Sequence, residues 1–189
     1  MVWLVFGLVI FLGVHSVRIV APAWRDARIA AGGEGAFKGV YSILSAVGLV
    51  LIVWGYGKAW EAPVVLYDPP VWTRHIAALL MLFSFIALAV YMLPAGRLKP
   101  ILKHPMLLAV KIWALAHLIA NGDLASVVLF GAFLLWAAAD RVAAKRRGAA
   151  APRPGPATMD IAAVAVGVVL YLLFVWRLHV WLIGVAPFG

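Results

Sequence analysis

The chain has 189 residues, 66% of them hydrophobic, and a mean hydropathy of +1.05. A soluble domain of that size has too little interior to bury so much apolar side chain, so the composition excludes the water-soluble class and selects a lipid-embedded one. Cysteine is absent, which removes disulfides and thiolate chemistry, and the net charge of +9 reads as membrane topology rather than as nucleic-acid binding.

Six apolar segments succeed one another along the chain: Val2–Trp24, whose far end could bend at Pro22, then Phe37–Trp60, Val71–Leu93, Ile101–Ala120, Leu124–Arg141 and Ile161–Val185. Each approaches the ~20 residues that cross a bilayer as a helix. The first has neither a basic leader nor a small-residue cleavage site, and reads as a retained span. The fold class is therefore all-α, a polytopic transmembrane bundle of about six spans. The tight turn Asn121-Gly122-Asp123 predicts that spans four and five form an antiparallel hairpin. Residues 1–145 read as a five-helix membrane domain. Residues 146–158, rich in Pro and Ala, read as a cytoplasmic linker, and residues 159–189 carry the sixth span.

Lys and Arg set the orientation. The loops after spans one, three and five hold Arg18, Arg25, Arg28, Lys38, Arg97, Lys99, Lys103, Arg141, Lys145, Arg146, Arg147 and Arg153, whereas the opposite ends hold Lys58 and Arg74. Basic residues stay on the cytoplasmic side, so both termini are expected on the periplasmic side of a bacterial inner membrane.

A charge at the bilayer centre costs roughly 3 kcal/mol on insertion scales, so ionisable residues inside spans mark candidate sites. Histidine is the cheapest, because it can stay neutral. Span four holds Lys103, His104, Lys111 and His117. His104 precedes Pro105, which suits a first helical turn, so His104 sits at the cytoplasmic mouth, where it could cap the helix or meet lipid headgroups. His117 lies about 20 Å deeper and points to nearly the opposite side. Trp113 and Asn121, one turn before and after, share its face, and Ala114 and Ala120 keep the neighbourhood small. Lys111 shares the face of His104 and can snorkel to the cytoplasmic surface.

In span one, His15 lies near mid-membrane, with Arg18 one turn nearer the cytoplasm on roughly the same face. Two neutral imidazoles, from spans one and four, could bind a metal between helices. A porphyrin held by histidines on separate spans fits that pattern. Arg18 and Lys111 could then meet its propionates. The alternative is that the histidines only hydrogen-bond neighbouring helices. His75, beside Trp72 and Arg74, reads as an interfacial anchor. His179, between Trp176 and Trp181, reads as part of a Trp belt, though both remain possible substitutes in ligation.

The remaining motifs are thinner. Residues 25–42 read as a charged loop with a glycine-rich centre, and no G-K-[ST] succeeds it to make a phosphate loop. The chain has no HExxH, no CxxC, no serine elbow and no acidic dyad in a span, which disfavours a hydrolase or an intramembrane protease.

Four stretches, HSVRIVAPAWR, YSILSAVGLVLIVWGY, APVVLYDPPVWTRH and KHPMLLAVKIWALAHLIANGDLASVVLFGAFLLWAAADR, together resemble the NnrU family of bacterial membrane proteins over roughly residues 1–145. The resemblance implies a role in denitrification, in support of nitrite and nitric oxide reduction. The same pattern is more distantly similar to the ζ-carotene isomerase of plants and cyanobacteria, an integral membrane haem b enzyme. The two haem-ligand histidines of that enzyme match His15 and His117. Its R-H-P motif matches Lys103-His104-Pro105, whose histidine is not the ligand. Its cysteine three residues before the second ligand is Ala114 here.

These readings give one leading expectation: a haem b protein with His15 and His117 as metal ligands. Arg18, Lys111, Trp113 and Asn121 complete the cofactor site, and the iron serves redox or sensing chemistry. Two alternatives stand beside it. One is a cofactor-free membrane assembly or maturation factor whose basic loops recruit a partner. The other is a haem-dependent cis–trans isomerase of a polyene such as ζ-carotene. The expected partners are the lipid bilayer, haem, and denitrification proteins or a small apolar substrate, with no nucleic acid.

Overall fold

The computed structural model describes residues 1–148 and 150–188. The described residues are helical apart from short connections and one isolated bridge, Val65 to Asp123. Among them, five helices are long and apolar enough to cross a membrane, and a shorter apolar helix joins them. The all-α, multi-pass expectation is met. Contacts divide the chain into two compact units: Met1–Tyr67 with Gly122–Ala144, and Asp68–Asn121 with Lys145–Gly189. Spans four and five, expected as a hairpin, therefore fall in different units.

The first unit is built on α1 (Val2–Val20), α2 (Pro22–Trp60) and α6 (Leu124–Arg146). Glycine sets how closely α1 and α2 approach. A Cβ on Gly7 would lie 2.5 Å from the backbone nitrogen of Ile52, and one on Gly48 would lie 2.8 Å from that of Phe11. Lipid tails are as apolar as leucine, so helices in a membrane gain by backbone-close packing, which small residues permit.

Two sequence expectations are corrected here. The first helix ends at Val20 rather than continuing to Trp24, because Ala21 turns the chain (φ −140°, ψ 55°) and Pro22 starts the next helix at its first position. Residues 25–42 are not a loop. They are helical except at Gly33 (φ 81°, ψ 154°), the kink in α2. Ala, Arg and Glu around that point are good helix formers, and only glycine takes such a φ cheaply.

At the opposite end, Asp123 caps α6. Its carboxylate accepts from the Ser126 backbone N–H (2.9 Å) and from the Ser126 hydroxyl (2.6 Å). With the Ser126 hydroxyl proton committed to Asp123, the Tyr56 hydroxyl donates to Ser126 Oγ at 2.8 Å. The backbone N–H groups of Leu66 and Tyr67 donate to the Gly122 carbonyl, and that of Leu124 to the Val64 carbonyl. The tight turn is thus held by capping and backbone bonds.

The second unit comprises α3 (Trp72–Met92), α4 (Leu98–Leu102), α5 (Pro105–Ala120), α7 (Ala157–Leu173), a π-helical turn (Phe174–Leu178) and α8 (His179–Ile183). Helix α3 packs against both α5 and α7. Ser84 Oγ donates to the Ala109 carbonyl of α5 at 2.9 Å, and Gly167 of α7 lies so close to Ile86 that a Cβ there would meet its backbone at 2.6 Å. Ala89, Val90 and Ala163 are buried at the α3–α7 contact, with Leu93, Leu98 and Leu102 around them. Asp160 of α7 accepts from the backbone N–H groups of Arg97 (2.8 Å) and Leu98 (3.0 Å), capping α4 from a distant part of the chain. Lys99 Nζ donates to the carbonyls of Tyr91 (2.7 Å) and Leu93 (2.6 Å) at the end of α3.

The expected span Ile101–Ala120 is also corrected. It breaks between α4 and α5 at Lys103, which takes a positive φ of 61°, and α5 keeps 16 residues. Proline at 105 disfavours helical geometry in the residue before it, which ends α4.

Candidate functional site

His15 lies on α1, half-buried among aromatic side chains of its own unit. Its Nδ1 is 2.6 Å from the carbonyl of Phe11. A carbonyl only accepts, so Nδ1 carries the proton, and in the neutral imidazole Nε2 is the lone-pair nitrogen. The ring lies against Phe11 (centroids 4.2 Å apart, 28° between planes) and close to Tyr41 (5.1 Å), and Trp136 meets it edge-on (5.9 Å, 89°). The indole Nε1 of Trp136 is buried and has no hydrogen-bond partner among the described residues. A buried donor without an acceptor calls for an explanation, and a ligand group is one.

A cleft of about 250 Å³ opens beside this histidine, lined among others by Arg18, Arg25, Glu34, Lys38 and Tyr41. Glu34 and Lys38 pair across one helical turn at 3.0 Å, and the ammonium holds the Glu34 carboxyl below its ordinary range. The cleft is smaller than the ~300–1,000 Å³ that encloses a whole drug-sized ligand.

His117 lies on α5 in the second unit and repeats the posture. Its Nδ1 is 2.8 Å from the carbonyl of Trp113, four residues earlier, and the Trp113 ring is 5.5 Å away. Ala114 and Ala116 beside it are fully buried. Asn121 closes the same helix. Its Nδ2 donates to the backbone carbonyl of His117 at 2.9 Å, at the end of the helix.

The NnrU protein family matches residues 3–187. The chain belongs to that family. No curated protein and no solved structure matches it. The family match runs through α7 and α8, past residue 145 where the resemblance read from sequence stops, so the last helices are part of the shared architecture. At the level of the family, membership places the chain among membrane proteins connected with nitrite and nitric oxide.

The other expected residues are scattered among these surroundings. Arg18 lines the cleft of His15, as expected. Lys111 is half-buried on α5. His104 stands at the N-cap position of α5, but its side chain makes no capping bond, which removes one of its two expected roles. His75 stacks on Phe188, with centroids 6.0 Å apart. His179, a Trp-belt residue by sequence, turns its ring to that of His117 at 6.5 Å. No local sequence signal carries that contact, because it depends on a π turn.

Among the described residues, no three His, Asp or Glu side chains cluster as a metal cage. That donor set does not suit zinc, which wants about four protein ligands in a structural site and three in a catalytic one. It does suit a haem, whose iron brings four nitrogens and asks the protein for one or two imidazoles. Each imidazole here already has the second-sphere bond that metal-ligating histidines show, an N–H given to a carbonyl. Taken singly, each imidazole has the donor chemistry that such a group takes.

Proposed function

We propose that this NnrU-family chain is an integral membrane haem b protein that supports nitrite and nitric oxide reduction by redox or sensing chemistry. His15 and His117 are the candidate iron ligands. The observation that supports the reading is their shared posture, Nδ1–H tied to the carbonyl four residues earlier, which would leave Nε2 as the nitrogen to coordinate. When bound, the haem supplies a one-electron iron centre whose axial coordination decides between electron transfer and capture of a small gas.

The chain's own residues do the rest. Phe11, Tyr41 and Trp136 enclose His15 with aromatic faces and limit water around it. Arg18 and Lys111 are the candidate partners of the propionates, and Trp113 offers a flat face beside His117. The Trp136 N–H is a donor awaiting an acceptor on the bound group. Denitrification proteins of the same membrane are the proposed partners.

The test is the visible spectrum of detergent-purified protein from haem-replete cells, oxidised and then reduced with dithionite, beside His117→Ala. A Soret band with sharp reduced α and β bands, lost or strongly weakened in His117→Ala, is expected. A colourless protein under those conditions would refute haem binding. An unchanged spectrum in His117→Ala would refute the ligand assignment.

A further inference from the structure

His179, which by sequence belongs to a Trp belt, sits beside the most unusual piece of helix in the chain. Helix α7 runs to Leu173, and the next residues, Phe174–Leu178, form a π-helical turn before α8 begins at His179. A π turn takes up an extra residue and rotates the downstream residues by about 100° relative to a continuous α-helix. Such turns cost hydrogen-bond geometry and recur at functional sites. Here the rotation brings the ring of His179 to that of His117, with centroids 6.5 Å apart and planes only 17° from parallel.

The two imidazoles are also held alike. His179 Nδ1 is 2.7 Å from the carbonyl of Val185, which lies beyond the end of α8, where Gly184 turns the chain back in the left-handed conformation (φ 82°). His117 Nδ1 is bound to the Trp113 carbonyl. In the neutral form of each ring the lone pair is then on Nε2.

The spacing is informative. Two imidazoles bound through nitrogen on opposite sides of one metal, each at about 2 Å, have ring centres roughly 6–7 Å apart. The observed separation falls in that range. A metal held by these two side chains would need its other donors from elsewhere, as tetrapyrrole iron brings them.

We infer that His179 is an axial ligand for the iron held by His117, able to occupy the position otherwise expected for His15. The inference rests on the haem-binding reading and adds a residue to it. It also gives the last helices a role at the site, in keeping with a family match that reaches residue 187.

The experiment uses the full chain in detergent, with ferric and dithionite-reduced visible spectra and low-temperature electron paramagnetic resonance. Four proteins are compared: the native chain, His15→Ala, His179→Ala and the double variant. His15→Ala is expected to keep a six-coordinate low-spin haem. The double variant is expected to lose the low-spin signal, as a five-coordinate high-spin haem or as loss of haem. Where high-spin haem remains, millimolar free imidazole restores the low-spin signal and shows the pocket intact. His15→Gln repeats the comparison with a side chain that can still hydrogen-bond the Phe11 carbonyl. A His15→Ala protein that is already high-spin or free of haem, in both the Ala and Gln forms, would overturn the inference. So would a double variant that stays low-spin. Haem in the native chain with either of those results sinks the role of His179 alone. A native chain without haem sinks the haem reading beneath it, and recovery of a bare metal ion instead of haem sinks both.

Discussion

Replacement of Gly55 by alanine tests how the first unit is held together. The added Cβ would lie 2.2 Å from the backbone nitrogen of Leu4, 2.6 Å from the Trp3 carbonyl carbon and 2.7 Å from Leu4 Cα, and all three atoms are backbone. No rotamer relieves such a clash. Helix α1 must instead retreat by about 1 Å, giving up contact along its whole seam with α2. Overpacking costs about 1–3 kcal/mol, and a clash confined to backbone belongs at the upper end. Against this, alanine in place of glycine gains about 1 kcal/mol of helix propensity.

The net expectation is a loss of about 2 kcal/mol, or roughly 4–8 °C in Tm for a chain of this size. Gly57, two residues on in the same helix, is the control, since a Cβ there meets nothing within 4 Å. Gly57→Ala keeps the propensity gain without the clash, so its Tm should rise by about 2–4 °C. The assay is thermal unfolding of both variants in one detergent, monitored by circular dichroism. A rise in Tm in both variants would refute the reasoning, because propensity alone would then govern both positions.

Two further expectations concern the second unit and the orientation. Asp160→Ala removes the carboxylate that satisfies the backbone N–H groups of Arg97 and Leu98, at a cost of about 1–2 kcal/mol. Trypsin should then cut after Arg97 several-fold faster than in the native protein, Lys99 being protected by Pro100, and an unchanged rate would show that the cap does not hold α4. Because the chain lacks cysteine, single replacements report topology without background. Lys58→Cys should react with a membrane-impermeant maleimide in spheroplasts, and Arg153→Cys only after permeabilisation. The reverse pattern would invert the orientation drawn from the basic loops.

Much of this molecule is determined by its sequence alone. Apolar runs of bilayer length define the spans, because an unpaired backbone group in lipid is too costly for anything but a helix or a closed barrel. Pro22 and Pro105 mark helix starts through their fixed φ, and Asp123 caps α6 through a side chain that reaches only three residues. The tautomers of His15 and His117 are local in the same sense, since each bonds the carbonyl one turn earlier on its own helix.

The features that lay beyond the sequence are long-range or depend on balance. Residues 25–42 look like a loop by charge and glycine content, but helix propensity prevails everywhere except at Gly33, and which side of that balance wins is not written in a periodicity. Asn121 shares a face with His117 by sequence, and only the folded chain shows its amide donating to the His117 carbonyl beside its own backbone N–H. Asp160 caps a helix 62 residues away in sequence. His179 meets His117 only because a π turn rotates α8 and α3 carries both α5 and α7 in one unit. A one-residue change in helical register moves a side chain by about 100°, so a contact across helices can be decided only once the chain has packed.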